Sequence, residues 1–194
     1  MKPTFLALII LAAFATGTSA ADGTFPVESN LLAGVAKVDI TPKNNDGVMA
    51  AGHRRMVHGV RDPLRAGVLV LSDGETKAAI VTMDTLGAWD EMVKQARERI
   101  EEESSVPSEN IMVAASHNHS GPDFAVDKEW AASLIDKLGK AGKQAAANMR
   151  PVSLGYGEDE IGFSINRRKV IDGRAVVRLN PEGPNDPRVK VLRF

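Results

Sequence analysis

The chain has 194 residues, 43% hydrophobic and 25% charged, which is enough apolar content to pack a domain and too much for a disordered chain. Its 24 Lys and Arg face 25 Asp and Glu, a formal net charge of −1, so it lacks the basic excess with which nucleic-acid binders neutralise phosphates. It has no cysteine, which excludes disulfides, thiolate zinc sites, iron–sulfur clusters and cysteine nucleophiles, and leaves His, Asp, Glu, Tyr or backbone oxygen to hold any metal.

Residues 1–20 read as a secretory signal. Lys2 is followed by an apolar run from Thr4 to Phe14 and then by small residues at Thr18, Ser19, Ala20 and Ala21. The run is short for a bilayer core of about 30 Å, so cleavage after Ala20 or Ala21 is expected, with export to the periplasm or the medium. Residues 21–32 read as a polar leader. Gly34 to Ile40 predicts a short strand stopped by Pro42, and residues 41–63 a long loop without hydrophobic period. Ala66 to Leu71 and Ala78 to Met83 are β-rich runs joined through Asp73-Gly74, a hairpin signal.

A helix is predicted from about Trp89, with Trp89, Met92, Val93, Ala96 and Ile100 on its buried face. Ile111 to Ser116 reads as a buried strand, and Asp127 to Met149 as a second helix on the face of Trp130, Leu134, Leu138, Ala141, Ala145 and Met149, ended by Pro151. Val152–Tyr156, Ala175–Leu179 and Val189–Phe194 read as further strands. The expected fold is α/β: a mixed sheet with a β-hairpin and a βαβ unit, helices packed on the sheet, and residues 33–194 forming one domain. The strand ending at Met83 and the strand at Ile111 should lie parallel across the first helix.

Two of the four histidines, His117 and His119, sit in Ser116-His117-Asn118-His119-Ser120-Gly121-Pro122. That turn follows the predicted parallel strand, and ligands of open α/β sheets bind beyond the carboxyl ends of strands. A divalent metal, zinc above all, suits two imidazoles at this edge. Asp84 ends the neighbouring strand; the favoured reading is a cap on the next helix, or a partner that orients an imidazole, ahead of a direct ligand. His53 and His58 lie in the loop GHRRMVHGVRDPLR and read as solvated loop residues, with substrate or anion contact as the alternative. Asn166-Arg167-Arg168 follows another predicted strand and offers an arginine for a carbonyl or hydroxyl oxygen, or plain surface charge. No phosphate loop, dinucleotide fingerprint or Gly-x-Ser-x-Gly elbow is present, so a metal-activated water is the better nucleophile for any hydrolysis.

The blocks AGVAKVDITP, GVRDPLRAGVLVLSDGETKAAIVTMDTLG, ASHNHSGPD, SINRR and NPEGPNDPRVKVLRF, in that order, resemble the N-terminal part of the neutral/alkaline ceramidase family. The resemblance implies a zinc amidohydrolase that cleaves N-acylsphingosine-like lipid amides to a fatty acid and an amine, with peripheral membrane contact for its substrate. It implies that His117 is a zinc ligand, that His119 sits beside the metal near the water or the developing oxyanion, and that Arg167 helps bind substrate. The pattern departs from the family at Asn118, Asp123 and Arg168. The family's remaining ligands, a histidine, a glutamate and a tyrosine, come later in its sequence than the part that Phe194 closes here. The chain alone is therefore expected to bind zinc weakly and to hydrolyse little. The alternatives are an exported binding domain that has lost its catalytic site, and an α/β metal hydrolase of sugar or peptide amides.

Overall fold

The computed structural model describes residues 23–24, 30–43, 48–51 and 55–194. The expected signal segment and His53 lie outside the described residues. In chain order the elements are β1 (Gly23–Thr24), β2 (Leu32–Asp39), β3 (Met49–Ala50), β4 (Arg55–Met56), β5 (Arg65–Ser72), β6 (Lys77–Met83), α1 (Asp90–Ser104), a single 3-10 turn (Ser108–Asn110), β7 (Ile111–Ala115), α2 (Lys128–Ala147), β8 (Arg150–Pro151), β9 (Gly155–Glu160), β10 (Arg168–Ile171), β11 (Arg174–Val177) and β12 (Arg188–Arg193). They divide into a larger unit, Pro26–Ser153, and a smaller one built from Leu154–Arg193 with β1.

The larger unit is a mixed α/β layer structure. Its sheet runs in the order β7-β6-β5-β2-β8. β5 and β6 form the expected hairpin, closing at Ser72↔Lys77; the Asp73 carboxylate accepts from the Glu75 and Thr76 N–H groups, and Gly74 takes φ 99°. β6 and β7 are parallel, from Ala79↔Ile111 to Met83↔Ala115, with α1 as the crossover. Strand alternation sends Ala66, Val68, Val70, Ala79, Val81 and Met83 to one face, where they meet Met92, Ala96 and Ile100 of α1 and Trp130, Leu134 and Leu138 of α2. Gly34 sits where β2 crosses the end of α2: a Cβ there would lie 2.0 Å from the Ala145 carbonyl oxygen, so no side chain fits. Asp127 caps α2 by accepting from the Trp130 N–H at 2.9 Å, and the Trp130 indole donates to the Ile40 carbonyl at 2.6 Å.

Several expectations change. Trp89 does not join the buried face of α1. It precedes the helix in extended conformation and is 57% exposed, because the helical period begins one residue later. The long loop holds the short pair β3/β4. Of the expected run Val152–Tyr156 only Gly155 and Tyr156 are strand, opening β9, which pairs with β1 and β12 in the smaller unit; the preceding Arg150–Pro151 pairs with the start of β2. Gly23–Thr24, expected as loose leader, is that β1. The strand near Ala175 has a partner that was not foreseen: β10 and β11 form a hairpin over Asp172-Gly173, both at positive φ, as a primed two-residue turn requires. Among the described residues no helix is long and apolar enough to cross a membrane.

Candidate functional site

The site is built on the ends of two parallel strands. β7 stops at Ala115, and the chain beyond it stays tied to the segment that follows β6. The Ser116 N–H donates to the Met83 carbonyl and the Asn118 N–H to the Thr85 carbonyl, both at 2.9 Å. Between these two anchors His117 takes φ 63°, a left-handed conformation that costs a non-glycine residue about 1 kcal/mol or more and persists only where its surroundings hold it. The turn then closes on itself. The Asn118 side-chain oxygen accepts from the Ser120 N–H at 2.9 Å, and the Gly121 carbonyl accepts from the Ala51 N–H at 2.8 Å.

The imidazole of His117 is fixed in one tautomer. Its Nδ1 lies 2.8 Å from the Leu86 carbonyl oxygen. A carbonyl only accepts, so Nδ1 carries the proton and Nε2 presents a lone pair. A ligating imidazole is commonly prepared by such a bond from its other nitrogen. His119 stands edge-on to it, ring centroids 4.8 Å apart at 86°, with the two Nε2 atoms 3.4 Å apart. Two nitrogens that share a tetrahedral zinc at about 2.0–2.1 Å are separated by about 3.3–3.4 Å. The pair thus fits two corners of such a set. Among the described residues no group of three or more His, Asp or Glu comes together to complete it.

Asp84 does not form the expected cap on α1; both of its carboxylate oxygens are engaged elsewhere. One carboxylate oxygen accepts from the Arg65 N–H at 2.9 Å and the other from the Ser116 hydroxyl at 3.2 Å, while α1 starts from Trp89 with no side-chain cap. A cavity of about 470 Å³ opens beside the turn, with Asp84, Ser116, Asn118 and Ser120 on one wall and Leu64, Val60 and Thr41 on the others. The Leu64 N–H donates to the Thr41 hydroxyl, and Thr41 in turn holds the Asp39 carboxyl below the usual carboxylate range. His58 is exposed, and the same cavity wall is formed by its neighbours Val57 and Gly59.

Arg167 lies in the smaller unit, exposed, on a segment held by asparagines. Asn166 Oδ1 accepts from the Arg168 N–H at 2.8 Å, and Asn166 Nδ2 donates to the Pro184 carbonyl at 2.8 Å. Asn180 Nδ2 donates to the Arg168 carbonyl at 2.9 Å. Sequence reasoning located His117, His119 and Asp84 at one sheet edge. It missed the Leu86 carbonyl, which as a backbone group has no residue-type signal, and the Ser116 hydroxyl, whose signal was its place opposite Asp84 in the parallel register.

No protein-family model matches this chain, and no curated protein matches it. Solved structures do. The chain is similar to neutral ceramidase from Pseudomonas aeruginosa, with 21% identity and a TM-score of 0.68, over 84% of this chain and 29% of that one. The fold is that of a part of neutral ceramidase. A ceramidase solved in complex with C2 is similar as well, with 22% identity and a TM-score of 0.62, over 71% of this chain and 24% of that one. The chain therefore spans less than a third of the length of the ceramidases it matches. Within this ceramidase fold, His117 and His119 occupy the turn that follows the parallel strand β7.

Proposed function

We propose that this chain carries one part of the active site of an exported, zinc-dependent amide hydrolase of the ceramidase type, acting on N-acylsphingosine-like lipids that it meets at a membrane surface. The observation that carries the reading is the convergence of two imidazole Nε2 atoms at 3.4 Å on a ceramidase fold. His117 would hold the metal through Nε2, with Nδ1–H kept on the Leu86 carbonyl. Zinc, when bound, lowers the pKa of a water and polarises the scissile carbonyl. His119 would sit beside the metal and donate a hydrogen bond to the tetrahedral oxyanion formed as water adds to the carbonyl; the C–N bond then breaks as a proton from the attacking water, carried by water or a side chain, passes to the leaving amine. Arg167, whose guanidinium is donor-only, would be the contact to a carbonyl or hydroxyl oxygen of the substrate.

One observation favours a second reading, an exported binding domain without catalysis: no third His, Asp or Glu joins the pair among the described residues. Fatty-acid release from a short-chain N-acylsphingosine separates the two, measured on the full-length gene product with and without His117→Ala. The hydrolase reading predicts zinc-dependent turnover that falls by more than about a hundredfold in the variant. Turnover that His117→Ala leaves intact, or no turnover in the zinc-loaded parent, would overturn it.

A further inference from the structure

We propose that Asp84 is the positioning residue of this site, acting on His117 at one remove through Ser116. The inference rests on the reading of His117 as a ligand and adds to it how that ligand is prepared. Three strand ends meet at Asp84. Its Oδ2 accepts from the N–H of Arg65, where β5 begins, its Oδ1 accepts from the hydroxyl of Ser116, where β7 has just ended, and its own N–H donates to the Arg65 carbonyl at 2.9 Å. Ser116 immediately precedes His117 and is tied a second time, by its N–H to the Met83 carbonyl. The left-handed backbone of His117 and the Nδ1–H bond to Leu86 both depend on the 116–118 segment staying in register with residues 83–86.

The clip needs a side chain that bridges Arg65 and Ser116. The Arg65 N–H can only donate, so one oxygen of Asp84 must accept from it, while the Ser116 hydroxyl, which can donate or accept, donates to the other. Asparagine can keep both contacts by turning its NH₂ group toward the Ser116 oxygen, so the variant that opens the clip is Asp84→Ala. In Asp84→Ala the Arg65 N–H and the Ser116 hydroxyl both lose their partner, the segment slackens, and His117 is free to leave the left-handed region. An imidazole released from the Leu86 carbonyl reverts toward the Nε2–H tautomer, which cannot ligate through Nε2.

The test reads the tautomer directly, by long-range proton–nitrogen correlation on ¹⁵N-histidine-labelled, metal-free protein at one fixed neutral pH. The parent should show His117 with its proton on Nδ1. Asp84→Ala should move the larger part of the population to Nε2–H with the far-UV circular dichroism unchanged, Ser116→Ala should move it in the same direction, and Asp84→Asn, which can keep both contacts, should stay close to the parent. A parallel cobalt titration should show affinity about 10-fold to 100-fold weaker in Asp84→Ala. An unchanged His117 tautomer in folded Asp84→Ala overturns the proposal; if that variant does not fold, an unchanged tautomer in Ser116→Ala overturns it instead. A parent that binds no cobalt but shows the tautomer shift rejects the ligand reading and leaves the positioning role of Asp84 standing.

Discussion

The two units of the molecule are held together in different ways. In the larger one, strand and helix faces close on a core in which Val68, Val70, Val81, Ile100, Leu134 and Leu138 are wholly buried. In the smaller one no described side chain is buried, and Val170, Val177 and Phe163 are each about 70% exposed or more. Order there comes from strand registers and polar side chains: the amides of Asn166, Asn180 and Asn185, and the two-pronged pair of Arg188 on Asp186, both contacts at 2.8 Å. The contrast teaches where precision comes from. A buried core fixes the strand ends on which His117 and His119 stand, whereas the segment that carries Arg167 is placed by hydrogen bonds that water can contest.

The largest break expected of this contrast is in the core. Leu134→Ala should remove about 2–5 kcal/mol from the unfolding free energy of the larger unit, measured by denaturant titration. A loss below about 1 kcal/mol would mean that packing on α2 does not organise the unit.

A smaller and local effect is expected from Asn166→Ala. It deprives the Arg168 N–H of its acceptor and the Pro184 carbonyl of its donor, at a cost of about 0.5–1.5 kcal/mol because water can replace either partner at this exposed position. Hydrogen exchange at Arg168 should quicken while exchange in β6 stays as it was. Gly183→Ala should do the same by steric means, since a Cβ there would fall 2.4 Å from Asn180 Nδ2 and 2.6 Å from Asn166 Cγ. Quickened exchange across both units alike would erase the distinction between them.

The smallest effect is a titration. The hydrogen bonds from Arg188 pull Asp186 down from 3.8 to about 2. A lowered carboxylate pKa means that the pair's contribution is complete above the unfolded value and is lost as pH falls through the folded one. The pair should therefore persist at pH 4 and open as pH falls toward 2. Carboxyl carbon shifts should place Asp186 near 2 in the parent and nearer 3.8 in Arg188→Ala; an Asp186 that titrates at 3.8 in the parent would dissolve the pair.

The same contrast explains what the residues made legible. The β5/β6 hairpin, α1, β7 and α2 could be read because burial imposes a period of two or 3.6 on apolar residues. β9, with the sequence GYGEDE, has no apolar alternation; it is a strand because β12 pairs with it along its length, Arg188 opposite Glu160 and Lys190 opposite Glu158. β10 and β11 were signalled by Asp172-Gly173, but only one of the two strands is visible from its composition. At the site, the strand-end rule located the two histidines. The left-handed turn at His117 and the Leu86 carbonyl that selects its tautomer arise from register alone, and no residue type announces either.

The reading stands or falls on whether His117 holds a metal ion through Nε2, with His119 beside it. Equilibrium zinc binding to the purified chain tests this, set beside His117→Ala and followed also by cobalt absorption. One ion should bind more weakly than about 1 μM, because the two imidazoles together are fewer than the three protein ligands that a catalytic zinc normally has, and that ion should be lost in the variant. No binding at millimolar zinc, or the same binding in His117→Ala, would contradict the reading.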